Sequence, residues 1–371
     1  MPRCWLPSPR RTPPQPHRSP PSTRTRTWLS PQLRVPVVSD LRARRATVTL
    51  VSALLLLLAL VMSLSFGSNA ISWPQVWSAL FNPDSSAETG VIRELRLPRT
   101  VVAAIVGAAL AVAGGIMQSL TRNPLADPGI LGINAGASLL VVTSVALGGL
   151  AGVTTYVWFA LLGAGLAAAG VFVLAGTGRN GGTPVRLALA GVSISAALAA
   201  ITQIVILSDQ EAFNEFRFWV AGSLEGRGWQ VLAATWPFLL AGVVLALLLG
   251  PALNVLALGD DTGHALGLSV GRTRVLAMVT VALLCGGATA AVGPIAFVGL
   301  AVPIAARALV GTDQRWVTVL CLLLGPVWLL LADTLARVVL APQEVPAGII
   351  TALLGAPVFV AIVRQGKVVA V

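Results

Sequence analysis

An all-α polytopic membrane protein of about ten transmembrane helices is the fold class this sequence predicts, on three observations. Hydrophobic residues make up 56% of the chain and charged ones only 11%, with a mean hydropathy of +0.85, which excludes a soluble globular domain. The apolar runs are continuous rather than alternating, which argues against a transmembrane β-barrel. Glycine is abundant, with 37 residues, as suits helices that pack backbone to backbone in lipid.

The chain divides near residue 46. Ten of its 25 basic residues precede Ala46, Asp40 is the only acid there, and ten prolines fall within Met1–Arg45. Residues 1–46 therefore read as a disordered basic Pro/Arg-rich tail that cannot bury a core. Its proline density prevents the amphipathic helix of a transit peptide. Two readings stand for it: a basic segment lying on anionic lipid, or residues upstream of the true start site. With the excess charge in one tail and no folded basic face, no nucleic-acid partner is expected.

Residues 47–371 read as one transmembrane domain. Its spans are about Thr47–Phe66, Thr100–Leu120, Gly129–Leu147, Tyr156–Ala175, Val185–Leu207, Val231–Leu253, Val275–Ala291, Ile295–Leu309, Trp316–Leu340 and Gly348–Val363. The eighth and tenth are short or interrupted by Gly and Pro. With the tail inside, an even count puts both termini in the cytoplasm. Arg122, Arg179, Arg186, Arg272, Arg274, Arg307, Arg315, Arg364 and Lys367 then fall on cytoplasmic segments, in keeping with the positive-inside bias. Arg93, Arg96, Arg99, Arg217, Arg227 and Arg337 fall outside against that bias, which points to an acidic partner there.

Between spans two and three, Asn123-Pro124 and Asp127-Pro128 break the chain, because proline lacks an N–H and restricts its predecessor. Gly132 and Gly136 are spaced for close helix contact. Between spans six and seven lies a polar island, LGDDTGHALGLSVGRTR, over residues 258–274. Its acids, histidine and arginines cannot sit in hydrocarbon, so it must lie at a membrane surface. Asp260 is placed to cap a helix start, Ala265 and Leu266 give an apolar face, and Gly267 is placed to end the helix. A short helix held between two spans is what an external motor needs to push on; an ordinary loop is the plain alternative.

Several chemistries are missing. The single lysine is Lys367, in Gly366-Lys367-Val368, so no GxxxxGK[ST] loop exists and the chain does not hydrolyse ATP in that way. The histidines are His17 and His264, and the cysteines Cys4, Cys285 and Cys321 form no close pair. Neither a metal cluster nor a disulfide framework nor a Ser/His/Asp hydrolase is indicated. In the ninth span Asp333 and Arg337 stand four apart on one face, where they neutralise each other.

From Ile71 to Lys367 the chain resembles the FecCD family of ABC importer permeases, which serve iron–siderophore, haem and vitamin B12 uptake. The resemblance is carried by Ile92-Arg93 with Arg96-Leu97-Pro98-Arg99, and by GAALAVAGGIMQSLTRNPLADPGILGINAGAS over Gly107–Ser138. GPIAFVGLAVP (Gly293–Pro303), GTDQR (Gly311–Arg315), LLADTLAR (Leu330–Arg337) and EVPAGIITALLGAPVF (Glu344–Phe359) continue it. It implies a vitamin B12 permease-like fold, paired with a second copy or a paralogue. Two cytoplasmic ATPase subunits would hold the ATP, leaving no cofactor on this chain, and an extracytoplasmic substrate-binding protein would complete the assembly. It also implies that residues 258–274 are the coupling segment, with Asp260, Asp261, His264, Leu266 and Gly267 against the ATPase. Arg96, Arg99 and Arg337 would face outward and pair with glutamates of the binding protein.

There are departures. Pro303-Ile304 stands where the family often has Pro-His, Asp313-Gln314-Arg315 where Asp-His-Arg is usual, and Gly263 where alanine is common. The expected cargo is a ferric siderophore, with cobalamin or haem as alternatives. An ion-coupled secondary transporter is the rival of another class. It would need acids near the bilayer midplane, whereas Asp333 is the only acid in any of the spans above and has Arg337 beside it.

Overall fold

In the computed structural model, residues 38–67, 71–147, 153–176 and 184–364 are described. The tail upstream of Val38, with His17, lies outside them, as do Arg179 and Lys367. The elements in order are α1 (Val38–Ser65), α2 (Trp73–Phe81), α3 (Ala87–Gly90), a π-helical turn (Val91–Arg96), α4 (Leu97–Thr121) and a 3-10 turn (Pro128–Leu131). There follow α5 (Ile133–Ala146), α6 (Val153–Gly176), α7 (Pro184–Ser208), α8 (Gln210–Val220), α9 (Trp229–Ala257) and α10 (Asp260–Ala265). The chain finishes with α11 (Val270–Val292), α12 (Val298–Val310), α13 (Gln314–Val338) and α14 (Ala347–Arg364). Each expected span is a helix, and the polar island contains one too.

The first helix starts at Val38, upstream of Thr47. The stretch after Pro36 holds no proline, and its arginines find partners that fix the helix. Arg44 and Arg45 donate to the Ala308 and Val310 carbonyls. Arg45 also lies 3.8 Å from Asp313 and 5.4 Å over the Trp316 ring. Residues 38–46, within the segment expected to be a disordered tail, are thus helical.

Among the described residues, seven helices are long and apolar enough to cross a membrane, while α5, α12 and α14 are shorter. The 3-10 turn ahead of α5 and the start of α12 lie beside the middle of α4, where a Cβ on Gly299 would stand 3.0 Å from the Pro128 ring and from the Leu110 carbonyl. A Cβ on Gly114 would fall 1.7 Å from the Gly299 carbonyl, so α4 and α12 meet backbone to backbone. Gly107 and Gly325 do the same for α4 and α13, and Gly136 and Gly163 for α5 and α6. These contacts explain the glycine content: without a hydrophobic drive between helices in lipid, close backbone approach supplies the packing.

The bundle is therefore centred on α4 and α11, whose apolar stretches are 83% and 72% buried, with α1 and α7 at the rim at 22% and 17%. Sequence reasoning missed α2 and α8. Both are amphipathic and non-spanning, and α2 exposes Trp73, Trp77 and Phe81 along one side. Apolar runs signal spans but not short helices that lie between them.

Candidate docking recess and coupling segment

At one end of the bundle the C-terminal carbonyls of α1 need partners, as every helix end does. Two arginines supply them. Arg96, carried on the π-helical turn, donates to the Leu64 and Ser65 carbonyls at 2.8 Å each. Arg337, from the last turn of α13, donates to the Ser63 carbonyl at 3.0 Å and the Phe66 carbonyl at 2.9 Å. Its Nε also lies 3.1 Å from Asp333 Oδ2, the i, i+4 pair expected from the sequence. Arg99 approaches Asp333 from α4, with Nη2 2.7 Å from Oδ1, and its Nη1 lies 2.6 Å from Glu344 Oε2. Asp333, with no exposed surface, thus serves two guanidiniums at once.

The outward-facing arginines expected from the resemblance are consequently more enclosed than that reading implies. Arg96 is 6% exposed and Arg337 3% exposed. All three nonetheless border one recess of about 870 Å³, together with Arg227, Glu344 and the exposed Glu88, Glu94 and Glu225. Arg227 sits at the end of the turn Leu224–Arg227, closed by its own N–H on the Leu224 carbonyl. Burial pushes its pKa down, against the opposing pull of Glu215 and Tyr156, and its Nε has no hydrogen-bond partner.

At the opposite end stands the polar island. Its helix α10 begins at Asp260, but Asp260 is not the cap; Gly259 occupies that position and offers no side-chain bond. The Asp260 carboxylate instead bridges two arginines, with Oδ1 2.5 Å from Arg122 Nη2 and Oδ2 2.7 Å from Arg274 Nη2. Partial burial acts to raise the Asp260 pKa, but the Arg122 hydrogen bond and the two positive charges lower it on balance. Gly267 does end the helix, at φ +79°. The Leu268 N–H reaches the Gly263 carbonyl at 2.9 Å and the Gly267 N–H reaches that of His264 at 3.0 Å, the paired bonds of a Schellman motif. The helix stands proud: Asp261, His264 and Gly267 are exposed, and Leu258 and Leu266 are 66% and 63% exposed. Gly263 faces inward, where a Cβ would lie 3.1 Å from Val270 Cγ2.

The break between spans two and three forms as the prolines require. Asn123 Oδ1 accepts from Leu125 N, and Asp127 Oδ1 accepts from Gly129 N at 2.8 Å, capping the turn that opens at Pro128. Gly136 makes the close crossing expected of it. Gly132 has a different reason to be glycine: it leads α5 at φ +71°, where L side chains are strained.

One cluster had no signal in the sequence. Arg307, assigned to a cytoplasmic segment, is 3% exposed. It donates to Gln118 Oε1, to the Gly115 carbonyl and to Ser119 Oγ. Gln118 and Ser119 lie on α4, far off in sequence, so neighbour patterns around Arg307 carry no trace of them. Among the described residues no group of three or more His, Cys, Asp or Glu is placed to hold a metal ion.

The model of the FecCD transport family matches residues 55–365. The chain is 43% identical over 316 residues to the ferric enterobactin transport system permease protein FepD of Escherichia coli, covering 84% of this chain and 93% of that one. It is 40% identical over 312 residues to the probable siderophore transport system permease protein YfiZ of Bacillus subtilis, covering 84% and 94%. The fold matches a solved putative metal-chelate type ABC transporter in an inward-facing conformation, with a TM-score of 0.77 at 27% identity, over 86% of this chain and 99% of that one.

Proposed function

Because the chain belongs to the FecCD transport family, we propose that this multi-pass membrane protein is the permease subunit of a binding-protein-dependent ABC importer. It moves a ferric siderophore, or a related chelate such as haem or cobalamin, into the cell. ATP is hydrolysed on separate subunits. The observation that carries this reading is the segregation of two unlike surfaces to opposite ends of one bundle. One is the arginine-bordered recess, and the other is the proud helix α10 with Asp261, His264, Leu258 and Leu266 exposed.

In this reading α10 lies in the cytoplasm, as do both termini, and its exposed leucines enter a groove of the ATPase. The recess faces outward and receives acidic side chains of the binding protein. Since Arg99 and Arg337 are already held by Asp333 and Glu344, an incoming carboxylate must reach into the recess rather than meet a flat basic face. The thinly covered rim helix α7 suits pairing with a second permease copy or a paralogue. An ion-coupled mechanism fits poorly, because the buried acid Asp333 is held by two guanidiniums and has no vacancy for a coupling ion. The test is reconstitution in proteoliposomes with ATPase and binding protein. ATP-dependent uptake of a ferric chelate is the expected result; uptake driven by an ion gradient without ATP overturns the proposal.

A further inference from the structure

The bridge at Asp260 joins more than α10 to its neighbour. Arg122 Nη2, which holds Asp260 Oδ1, also donates to the Leu256 carbonyl in the last turn of α9 at 2.9 Å. Arg274 brings in α11. One carboxylate therefore gathers the ends of α4, α9 and α11 around the base of the exposed helix.

Arg122 is an odd residue for its place. It is the C-cap of α4, in the left-handed region at φ 51°, where glycine or asparagine is the ordinary occupant. A backbone position that disfavours arginine is occupied by one whose side chain spans 138 positions of sequence to reach Asp260. The helix it ends is 25 residues long, about 37 Å at 1.5 Å per residue. Its other end carries Arg99, bound to Asp333 and Glu344 in the recess. Along its length it is fixed to α12 and α13 by the glycine contacts at Gly114 and Gly107. The helix is a stiff member with one functional surface at each end.

We infer that Arg122 and Asp260 form the joint through which α10 and α4 move together, so that both are positioning residues for coupling the recess to the ATPase face. This rests on the importer reading. Arg274 differs in kind: it holds the same carboxylate but belongs to α11, the helix that follows α10 directly in the chain, so its bond does not join α10 to α4 directly.

The experiment uses the full complex in proteoliposomes, with the ratio of ATP hydrolysis with loaded binding protein to that without as its readout. Arg122→Gln is expected to assemble with the ATPase subunits and to lower this ratio about fivefold or more. Arg122→Lys, which keeps the charge and one donor, is expected to restore part of it. Arg274→Gln is expected to stay within about twofold of the parent, because its carboxylate contact ties α10 only to α11, to which α10 is already joined along the chain. The double variant Arg122→Gln/Asp260→Asn is expected to be no worse than the worse single one. An unchanged ratio in Arg122→Gln overturns the inference, as does an equal loss in Arg274→Gln, which would show only that α10 needs anchoring. If the parent complex shows neither ATPase assembly nor ATP-dependent uptake, the importer reading has failed rather than the joint.

Discussion

Asp333 carries the highest stakes of any single side chain. It has no exposed surface and faces Arg99 and Arg337, so it offsets buried positive charge that would otherwise face an apolar interior. Removing one partner of a buried pair costs about 3–5 kcal/mol, because the remaining charge is left uncompensated. Asp333→Asn is thus expected to lower the thermal midpoint of the detergent-solubilised protein sharply. Glu344→Gln is expected to cost less, since Glu344 is part-exposed and water replaces its carboxylate. Equal midpoints for parent and Asp333→Asn would mean that Glu344 suffices for Arg99 and the α1 carbonyls for Arg337. At the other end Asp260 gives a pH prediction. Its folded pKa is lowered, so its contribution is complete above the ordinary aspartate value and is lost as pH falls below it. Hydrogen exchange of the α10 amides is expected to keep its protection from neutral pH down to about 4 and to lose it under stronger acid.

At the scale of elements, backbone contacts decide what a substitution does. Gly114→Ala would place a methyl group 1.7 Å from the Gly299 carbonyl, so α4 and α12 must part, at about 1–3 kcal/mol or more for overpacking. Gly165→Ala, in open space on α6, is the matched control and is expected to be neutral or mildly stabilising. A lower folded yield and midpoint in the first variant alone checks the assignment. Gly267 is different: nothing lies near its missing Cβ, yet its φ is +79°, so Gly267→Val is penalised by backbone strain of about 1–2 kcal/mol. It is expected to insert normally and to lose stimulated ATP hydrolysis, with Gly267→Asn milder; normal stimulation in Gly267→Val would remove α10 from the coupling role. The contrast shows what was legible in the sequence. Spans, the island helix and its glycine stop follow from local composition and chain geometry. The enclosure of Arg96 and Arg337, the buried Arg307 cluster and the Arg122–Asp260 link did not, because each depends on partners distant in the chain, 32 positions away for Arg96 and 138 to 274 for the others.

For the whole molecule, the arrangement of charge limits what the protein can carry. The long rim helices turn leucine and valine outward because their solvent is lipid, and the central helices meet through glycine and alanine. Charged groups lie largely toward the two ends, and among the described residues Asp333, the acid buried within a spanning helix, is neutralised by arginines. Cys285 and Cys321 lie buried on separate helices, α11 and α13. Stripping a metal ion of its ligands takes several converging donors of suitable softness, and the described residues hold no such group. A passage of this kind suits a large solute whose metal arrives already wrapped. Under the proposed function, affinity would reside in the binding protein, where capture needs it, and a weakly interacting passage would let release be quick. A strain lacking this gene is therefore expected to lose growth on a ferric siderophore as sole iron source under iron starvation, and to lose uptake of the labelled chelate. It is expected to keep normal import of free manganese and zinc. If the strain takes up every chelate at the parental rate and fails instead on a free divalent ion, cargo recognition must lie in donors of the passage itself, and the chelate reading is wrong.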